Sequence, residues 1–227
     1  MKDSDNGLMV NAHTKYGDIL VFRREKYAKQ FSNKISKLDY ERPVFDILTE
    51  GDYDIFIDIG ASFGIHTVVA SHFAKEVYAY EAQPLLYGFL RWNTKDIDNV
   101  YVSDSFVGTD ENIPTMFGNM HGMVGKKGNH RQEPLNKISK ISLEEILTQY
   151  HFSYKDKYLV KIDTEGNEED ILHSANDVIK DIPNIEFIIE LHPWASTEKS
   201  LSSCLPDFKY KVIHSGRRSA VYRFWRD

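Results

Sequence analysis

One cysteine in 227 residues, Cys204, has no partner for an internal disulfide and is too few for a four-cysteine zinc site. A secreted disulfide scaffold and the commoner structural zinc modules are thereby excluded, and the reducing cytoplasm is the expected setting. Also missing is any run of about 18 apolar residues, the length needed to span a bilayer, so no membrane span is expected. The first ten residues, MKDSDNGLMV, are too polar for the apolar region of a signal peptide. Internal repeats, heptad runs and long low-complexity tracts are absent too, which sets aside solenoids, coiled coils and extended disorder. Nor is there an excess of basic charge. Lys and Arg number 28 against 34 Asp and Glu, for a net charge of -6, which argues against binding nucleic acid over the whole surface.

What is present suits one hydrophobic core: 41% hydrophobic and 13% aromatic residues in a chain of single-domain length. Residues 1–50 read as an N-terminal hairpin-and-helix extension and residues 51–227 as the main domain. Within the extension, Leu8 to Ala12 and Ile19 to Phe22 flank a Lys15-Tyr16-Gly17-Asp18 turn, and a helix is expected over Arg42 to Leu48. From residue 54 the rhythm changes. Asp54-Ile-Phe-Ile-Asp-Ile59 is short, almost continuously apolar and rich in Ile, as in a strand buried on both faces of a parallel sheet.

Alternation follows: helix over Ile65 to Phe73, strand over Glu76 to Tyr80, helix over Pro84 to Thr94, strand over Val100 to Val107. This order predicts right-handed crossovers in a doubly wound α/β sheet. Residues 108–140, with five glycines and two prolines, read as a long insertion. Ser142-Leu-Glu-Glu145 is a capping box opening a helix to about Tyr150. Beyond it lie a strand over Lys157 to Asp163, a helical stretch over Glu168 to Ile179, and a strand over Ile185 to His192. A closing antiparallel hairpin is expected over Phe208 to Ile213 and Ser219 to Trp225.

Asp58-Ile-Gly60-Ala61-Ser62-Phe-Gly64 falls where the first core strand turns into its helix. Glycines there permit a tight turn and close approach to a ligand. A dinucleotide fingerprint would be G-x-G-x-x-G, whereas this spacing is G-x-x-x-G preceded by an acid, favouring S-adenosylmethionine over NAD. Asp58 offers a carboxylate to the cationic end of that cofactor. Glu81 ends the second strand twenty-one residues after Gly60, where an acid accepts from both ribose hydroxyls.

The runs Phe56-Ile-Asp-Ile-Gly-Ala-Ser-Phe-Gly64, Val77-Tyr-Ala-Tyr-Glu-Ala-Gln-Pro84, Asn93, Leu143-Glu-Glu-Ile-Leu147, Val160-Lys-Ile-Asp-Thr-Glu-Gly-Asn-Glu168 and Ile189-Glu-Leu-His192 together resemble the FkbM family of S-adenosylmethionine-dependent methyltransferases. The resemblance spans about residues 53 to 192, and Lys161 to Glu168 is its most specific part. It implies a class I methyltransferase fold: a Rossmann-like seven-stranded sheet, mostly parallel with an antiparallel last strand and helices on both faces. The reaction it implies is O-methylation of a sugar or secondary-metabolite hydroxyl. Ser62 stands where the family usually has Asn, and Glu81-Ala-Gln-Pro84 where it usually has Glu-Pro. The adenine-side contact implied at the end of the third strand brings in Ser103, Asp104 and Ser105, with Asp104 the acceptor for an adenine amino group. Expected cofactor contacts are therefore Asp58, Gly60, Ala61, Ser62, Gly64, Glu81 and Asp104.

Lys161 and Asp163 lie two apart on a strand and point to one face, with Glu165 following at the carboxyl end, where open α/β sheets bind ligands. Methyl transfer to a hydroxyl needs in-line placement and removal of the hydroxyl proton. Asp163, Glu165 and His192 are the candidate bases, and Lys161 is placed to lower a hydroxyl pKa or neutralise a carboxylate. Glu168 reads as an acid serving the first turn of its helix. No metal site is assigned, although Asp163, Glu165 and Glu190 or His192 are a donor set able to hold Mg²⁺. Residues 118–140 carry Lys126, Lys127, Arg131, Lys137 and Lys140 against Glu133, a local +4 expected to face a small-molecule or glycan acceptor. Arg217, Arg218, Arg223 and Arg226 read as a solvated edge. The competing readings are an RNA ribose or cap methyltransferase and a non-catalytic cofactor-binding module. Nucleic acid is the less favoured partner: no Asn/Asp-Pro-Pro-aromatic tetrapeptide is present to hold a flipped base for amino-base methylation, and ribose or cap methylation is the weaker option that remains.

Overall fold

Gly17, with φ at 133°, reverses the chain between β1 (Gly7–Thr14) and β2 (Gly17–Arg24), which pair antiparallel in perfect two-residue register. This is the expected hairpin, in a computed structural model that describes residues 7–109, 139–149, 153–216 and 219–227. Next come α1 (Glu25–Ser36) and α2 (Arg42–Glu50). α1 was not expected. Its buried Ala28 and Ile35, with Phe31 between, repeat at the helical spacing that marks an apolar stripe.

The alternating pattern then runs β3 (Ile55–Ile59), α3 (Ile65–Ala70), β4 (Glu76–Tyr80), α4 (Pro84–Thr94), β5 (Val100–Ser103). Three expected elements are corrected. The helix after the glycine loop stops at Ala70 rather than Phe73, because Phe73 N and Ala74 N both turn back onto the Ala70 carbonyl. The expected strand Val100 to Val107 splits, since the Ser103 hydroxyl accepts from Ser105 N at 3.2 Å and turns the chain. Its second part, β6 (Phe106–Val107), leaves the main sheet and pairs in parallel with β7 (Lys140–Ile141). Helix α5 (Leu143–Gln149) opens on the expected capping box: Ser142 N donates to Glu145 Oε2 at 2.7 Å and Glu145 N to Ser142 Oγ at 3.1 Å.

After β8 (Tyr158–Ile162), the helical stretch expected over Glu168 to Ile179 is two helices, α6 (Glu168–His173) and α7 (Asn176–Asp181), broken at Ala175 with φ at −133°. β9 (Ile185–Leu191) and an unforeseen α8 (Glu198–Cys204) lead to the closing hairpin, β10 (Lys209–Ser215) and β11 (Ala220–Trp225). Thr197 and Ser200 cap α8 reciprocally, with Ser in the position where the usual signal is Glu or Gln.

The main sheet has the order β10-β11-β9-β8-β3-β4-β5, with β11 antiparallel to both neighbours. Alternation along each strand divides its side chains between two cores. Ile55, Ile57, Ile59, Val160, Ile162 and Phe187 face Ile146, Ile171 and Ile179 of α5 to α7. On the opposite face Phe56, Leu159 and Ile188 meet Val68 and Val69 of α3, and this second core includes Ile19, Val21, Ile35 and Phe45 of the N-terminal segment. Burying each of these side chains contributes about 1.5–3 kcal/mol, so the first fifty residues are welded to the sheet by the same force that holds its helices. Asn93 of α4 adds a polar clamp. Its Oδ1 accepts Leu20 N at 2.8 Å, and its Nδ2 donates to Leu20 O at 2.9 Å and Phe63 O at 2.8 Å. Among the described residues no helix is long and apolar enough to cross a membrane.

Candidate active site

The glycine loop between β3 and α3 owes its shape to three residues at positive φ: Gly60 at 78°, Ser62 at 54° and Gly64 at 80°. Gly60 N and Ala61 N both donate to the Tyr80 carbonyl, at 2.9 and 3.0 Å, strapping the loop to the end of β4. Gly60 is obligatory, since a Cβ there would lie 1.9 Å from the Asp163 carbonyl oxygen. Glu81 completes the brace: its Oε2 accepts Ser62 N and its Oε1 accepts Gln83 N, both at 2.8 Å. Burial pushes the Glu81 carboxyl up to about 7, against the pull of those two amides.

Asp58 and Lys161 are register partners on the parallel pair β3 and β8, so both point to the face covered by α3. Lys161 Nζ lies 3.4 Å from Asp58 Oδ1 and 3.5 Å from Asp163 Oδ2. Asp58 Oδ2 accepts the Thr67 hydroxyl at 2.7 Å. Burial alone would depress the Lys161 pKa, but the attraction of Asp58 and Asp163 overrides it and holds the ammonium charged.

The second motif wraps around a buried histidine. His192 Nδ1 lies 3.0 Å from Glu168 Oε1, and its Nε2 lies 3.5 Å from Glu165 Oε2 and 4.0 Å from Glu190 Oε1. Burial works against the imidazolium, yet the Glu168 hydrogen bond and charge, with Asp163 and Glu165, raise its pKa to about 9. His192 thus carries two protons at neutral pH. Glu190, which accepts the Ser219 hydroxyl, is raised to about 7 by burial and by Asp163. Glu41, at the start of α2 with φ at 52°, is raised to about 8 by burial and by the same Asp163.

A cavity of about 230 Å³ opens between these groups. Its lining includes Gly60, Ser62 and Glu81, the apolar Leu86, Phe106 and Val107 with Ser105, the acids Asp163, Glu165 and Glu190, and Arg23, Tyr40 and Glu41 from the N-terminal segment. Of the expected site residues, Gly60, Ser62, Glu81, Asp163 and Glu165 line it. Asp58 and Lys161 lie beneath it, almost wholly buried, and His192 lies buried beside Glu190 with its ring 4.7 Å from that of Trp194. Ala61 packs with Ala79 and Leu90, and Gly64 is pressed against Leu90. Asp104 is exposed at the turn that ends β5, and Ser105 takes the cavity position in its place.

Glu168 is more than a helix-opening acid. It is fully buried and accepts both His192 and Gly166 N, each at 3.0 Å. Arg23, Tyr40 and Glu41 were missed, as they reach the cavity only through tertiary packing; the Arg42-Pro43 helix start was the one local signal near them. Asp163, Glu190 and His192 bring one ligand atom each within 4.8 Å of one another. Both His192 nitrogens are turned to carboxylates, and Mg²⁺ finds no support beyond this proximity. Apart from Ser139 and Lys140, the +4 segment lies outside the described residues, as do Arg217 and Arg218. Arg223 pairs with Glu186 at 2.6 Å, and Arg226 donates to the Ile182 carbonyl at 3.2 Å.

A family model described as the methyltransferase FkbM domain matches residues 58–214. Among solved structures, the methyltransferase FkbM of Methylobacillus flagellatus KT aligns at 17% identity and a TM-score of 0.53, over 77% of this chain and 44% of that one. The chain thus spans less than half the length of that relative. Trm5b of Pyrococcus abyssi aligns at 12% identity and a TM-score of 0.49, over 95% of this chain and 54% of that one. The precorrin-6y C5,15-methyltransferase of Geobacter metallireducens GS-15 aligns at 14% and 0.48, over 83% and 87%. At 17% identity the likeness to the FkbM structure speaks of fold alone, that of class I methyltransferases. No curated protein matches the sequence.

Proposed function

Because this chain belongs to the FkbM family of S-adenosylmethionine-dependent methyltransferases, we propose that the cavity beside Gly60 holds that cofactor and that the methyl acceptor is a hydroxyl of a sugar or secondary metabolite. The observation that carries the reading is Glu81: a carboxylate braced by Ser62 N and Gln83 N that still faces the cavity, where a ribose diol has two hydroxyls to donate. The walls fit the rest of the cofactor. Leu86, Phe106 and Val107 are apolar surface for an adenine ring, and the acids Asp163, Glu165 and Glu190 in the same lining suit a cationic end.

When bound, S-adenosylmethionine supplies an electrophilic methyl group on a sulfonium. The protein's part is to place the acceptor oxygen and take its proton. His192 already carries a full complement of protons at neutral pH, and Asp163 is engaged by Lys161. Glu190 lines the cavity with a pKa of about 7, so it is the group suited to accept the hydroxyl proton, with Glu165 beside it held by His192. Lys161 and Asp58 act as positioning residues, tying the floor of the glycine loop to the end of β8.

Calorimetric titration with S-adenosylmethionine tests the cofactor. The wild type is expected to bind it, and Glu81→Ala to bind roughly ten- to hundred-fold more weakly. Absence of binding by the wild type would sink the reading. For the acceptor, methyl-labelled cofactor incubated with fractionated glycans and metabolites should leave label on an oxygen of a small molecule. Label found only in RNA would overturn the acceptor class.

A further inference from the structure

We propose that the N-terminal segment reads the amino-acid end of the cofactor, Arg23 receiving its carboxylate and Glu41 its ammonium. This rests on the cofactor reading above and assigns roles to residues outside the matched family region, residues 58–214.

An amino-acid zwitterion offers one anion and one cation, and the cavity wall built by the first fifty residues offers one of each in return. Arg23 is the cationic side chain among the described residues lining the cavity, since Lys161 and His192 lie behind it. Its guanidinium is steadied by rings rather than by carboxylates, 4.2 Å from the centroid of Phe31 and 5.6 Å from that of Phe63. A cation held in place by aromatic faces keeps its charge unspent for an anion from outside, and the planar fork suits a carboxylate.

Glu41 is placed with equal care. The left-handed turn at Glu41 precedes Pro43 in the first turn of α2, and the Glu41 carbonyl accepts Val44 N at 2.9 Å, fixing the backbone. Its Oε2 lies 3.4 Å from Nε2 of His66, a side chain only 6% exposed and packed 4.9 Å from the ring of Phe45. That nitrogen makes no hydrogen bond, and burial keeps the ring neutral, so His66 packs beside the Glu41 carboxyl and supplies it no counter-charge. Glu41 shares the cavity lining with Asp163 and Glu190, whose charges disfavour its own, while the charge of Lys161 and a hydrogen bond with Tyr40 favour it. A buried carboxyl group among other acids, with no counter-charge from its neighbouring imidazole, is complementary to an ammonium, whose positive charge favours the ionised form.

The test is calorimetry on the full chain with three probes: S-adenosylmethionine, S-adenosylhomocysteine and 5′-methylthioadenosine, which keeps the adenosine and sulfur but lacks the amino acid. Arg23→Gln and Glu41→Gln are each expected to weaken the first two roughly ten- to hundred-fold and to leave the third within about threefold. Glu41→Asp, which keeps the charge but withdraws it by one methylene, should lose less than Glu41→Gln. Equal losses for all three probes, or unchanged affinity for the first two, would overturn the assignment while leaving the cofactor reading intact. A wild type that binds none of them would instead remove the reading on which it rests.

Discussion

Glu168 Oε1 lies 3.0 Å from Nδ1 of His192, joining the first turn of α6 to the residue that follows β9. Both side chains are buried, so the contact is a charge pair out of water rather than a surface ion pair. Replacing Glu168 by Gln keeps the hydrogen bond and removes the charge. The His192 pKa is expected to fall from about 9 toward the ordinary imidazole value, by about one unit or more. Ring-resonance NMR titration reads it directly, and an unmoved pKa would transfer the effect to Asp163 and Glu165.

Two glycines make opposite predictions. Gly60→Ala must drive a methyl group against the backbone carbonyl of Asp163 at a φ of 78°, so a loss of about 2–4 kcal/mol in stability and of cofactor binding is expected. Gly88, within α4, has nothing within 4 Å of an added Cβ. Gly88→Ala should therefore stabilise by about 0.4–1 kcal/mol. Urea unfolding of the two variants against the wild type measures both.

Lys161→Met leaves Asp58 and Asp163 facing each other without their shared cation. Stability is expected to drop by about 3–5 kcal/mol, the usual result of stranding a buried charge. Adding Asp58→Asn should restore part of that loss, because the two changes act on one contact. Strictly additive denaturation midpoints would show that Asp58 and Lys161 are not coupled.

Stability without added cofactor should fall as pH rises. The Glu41, Glu81 and Glu190 carboxyls sit at about 8, 7 and 7, well above an unfolded glutamate at about 4.3, so between those values the folded chain holds more protons than the unfolded one. His192 acts in the same direction, its contribution present below about 6.5 and lost as pH rises through 9. Scanning calorimetry from about pH 5 to 9 is expected to show a declining Tm, with S-adenosylmethionine lessening the decline. A Tm that climbs over that range would contradict the assignment of these raised pKa values.

Local pattern was enough wherever one element settled the matter. The Ile-rich run at 55–59, the capping box of Ser142 and Glu145, and the placing of Gly60 and Ser62 after β3 and of Glu81 after β4 all follow from rules acting within a few residues. Asp58 shows where such rules stop. Strand parity sets it on the same face as Phe56, and that face is sealed by α3, so the acid of the motif supports the loop from below. Asp104 lost its expected place to Ser105 through a serine turn one residue earlier. Arg23, Tyr40 and Glu41 were beyond reach because what brings them to the cavity is a hydrophobic core shared between residues far apart in the chain.

The Asn93 clamp also sets an order in time. The β1–β2 hairpin pairs residues at most seventeen apart, but a two-stranded hairpin is marginal by itself in water, and the amide that ties Leu20 to Phe63 sits on α4, some seventy residues later. During synthesis the first fifty residues must therefore wait, with Ile19 and Val21 still unburied, until α3 and α4 have emerged. Variants of Asn93 are for that reason expected to slow folding and raise aggregation in the cell out of proportion to the stability they remove.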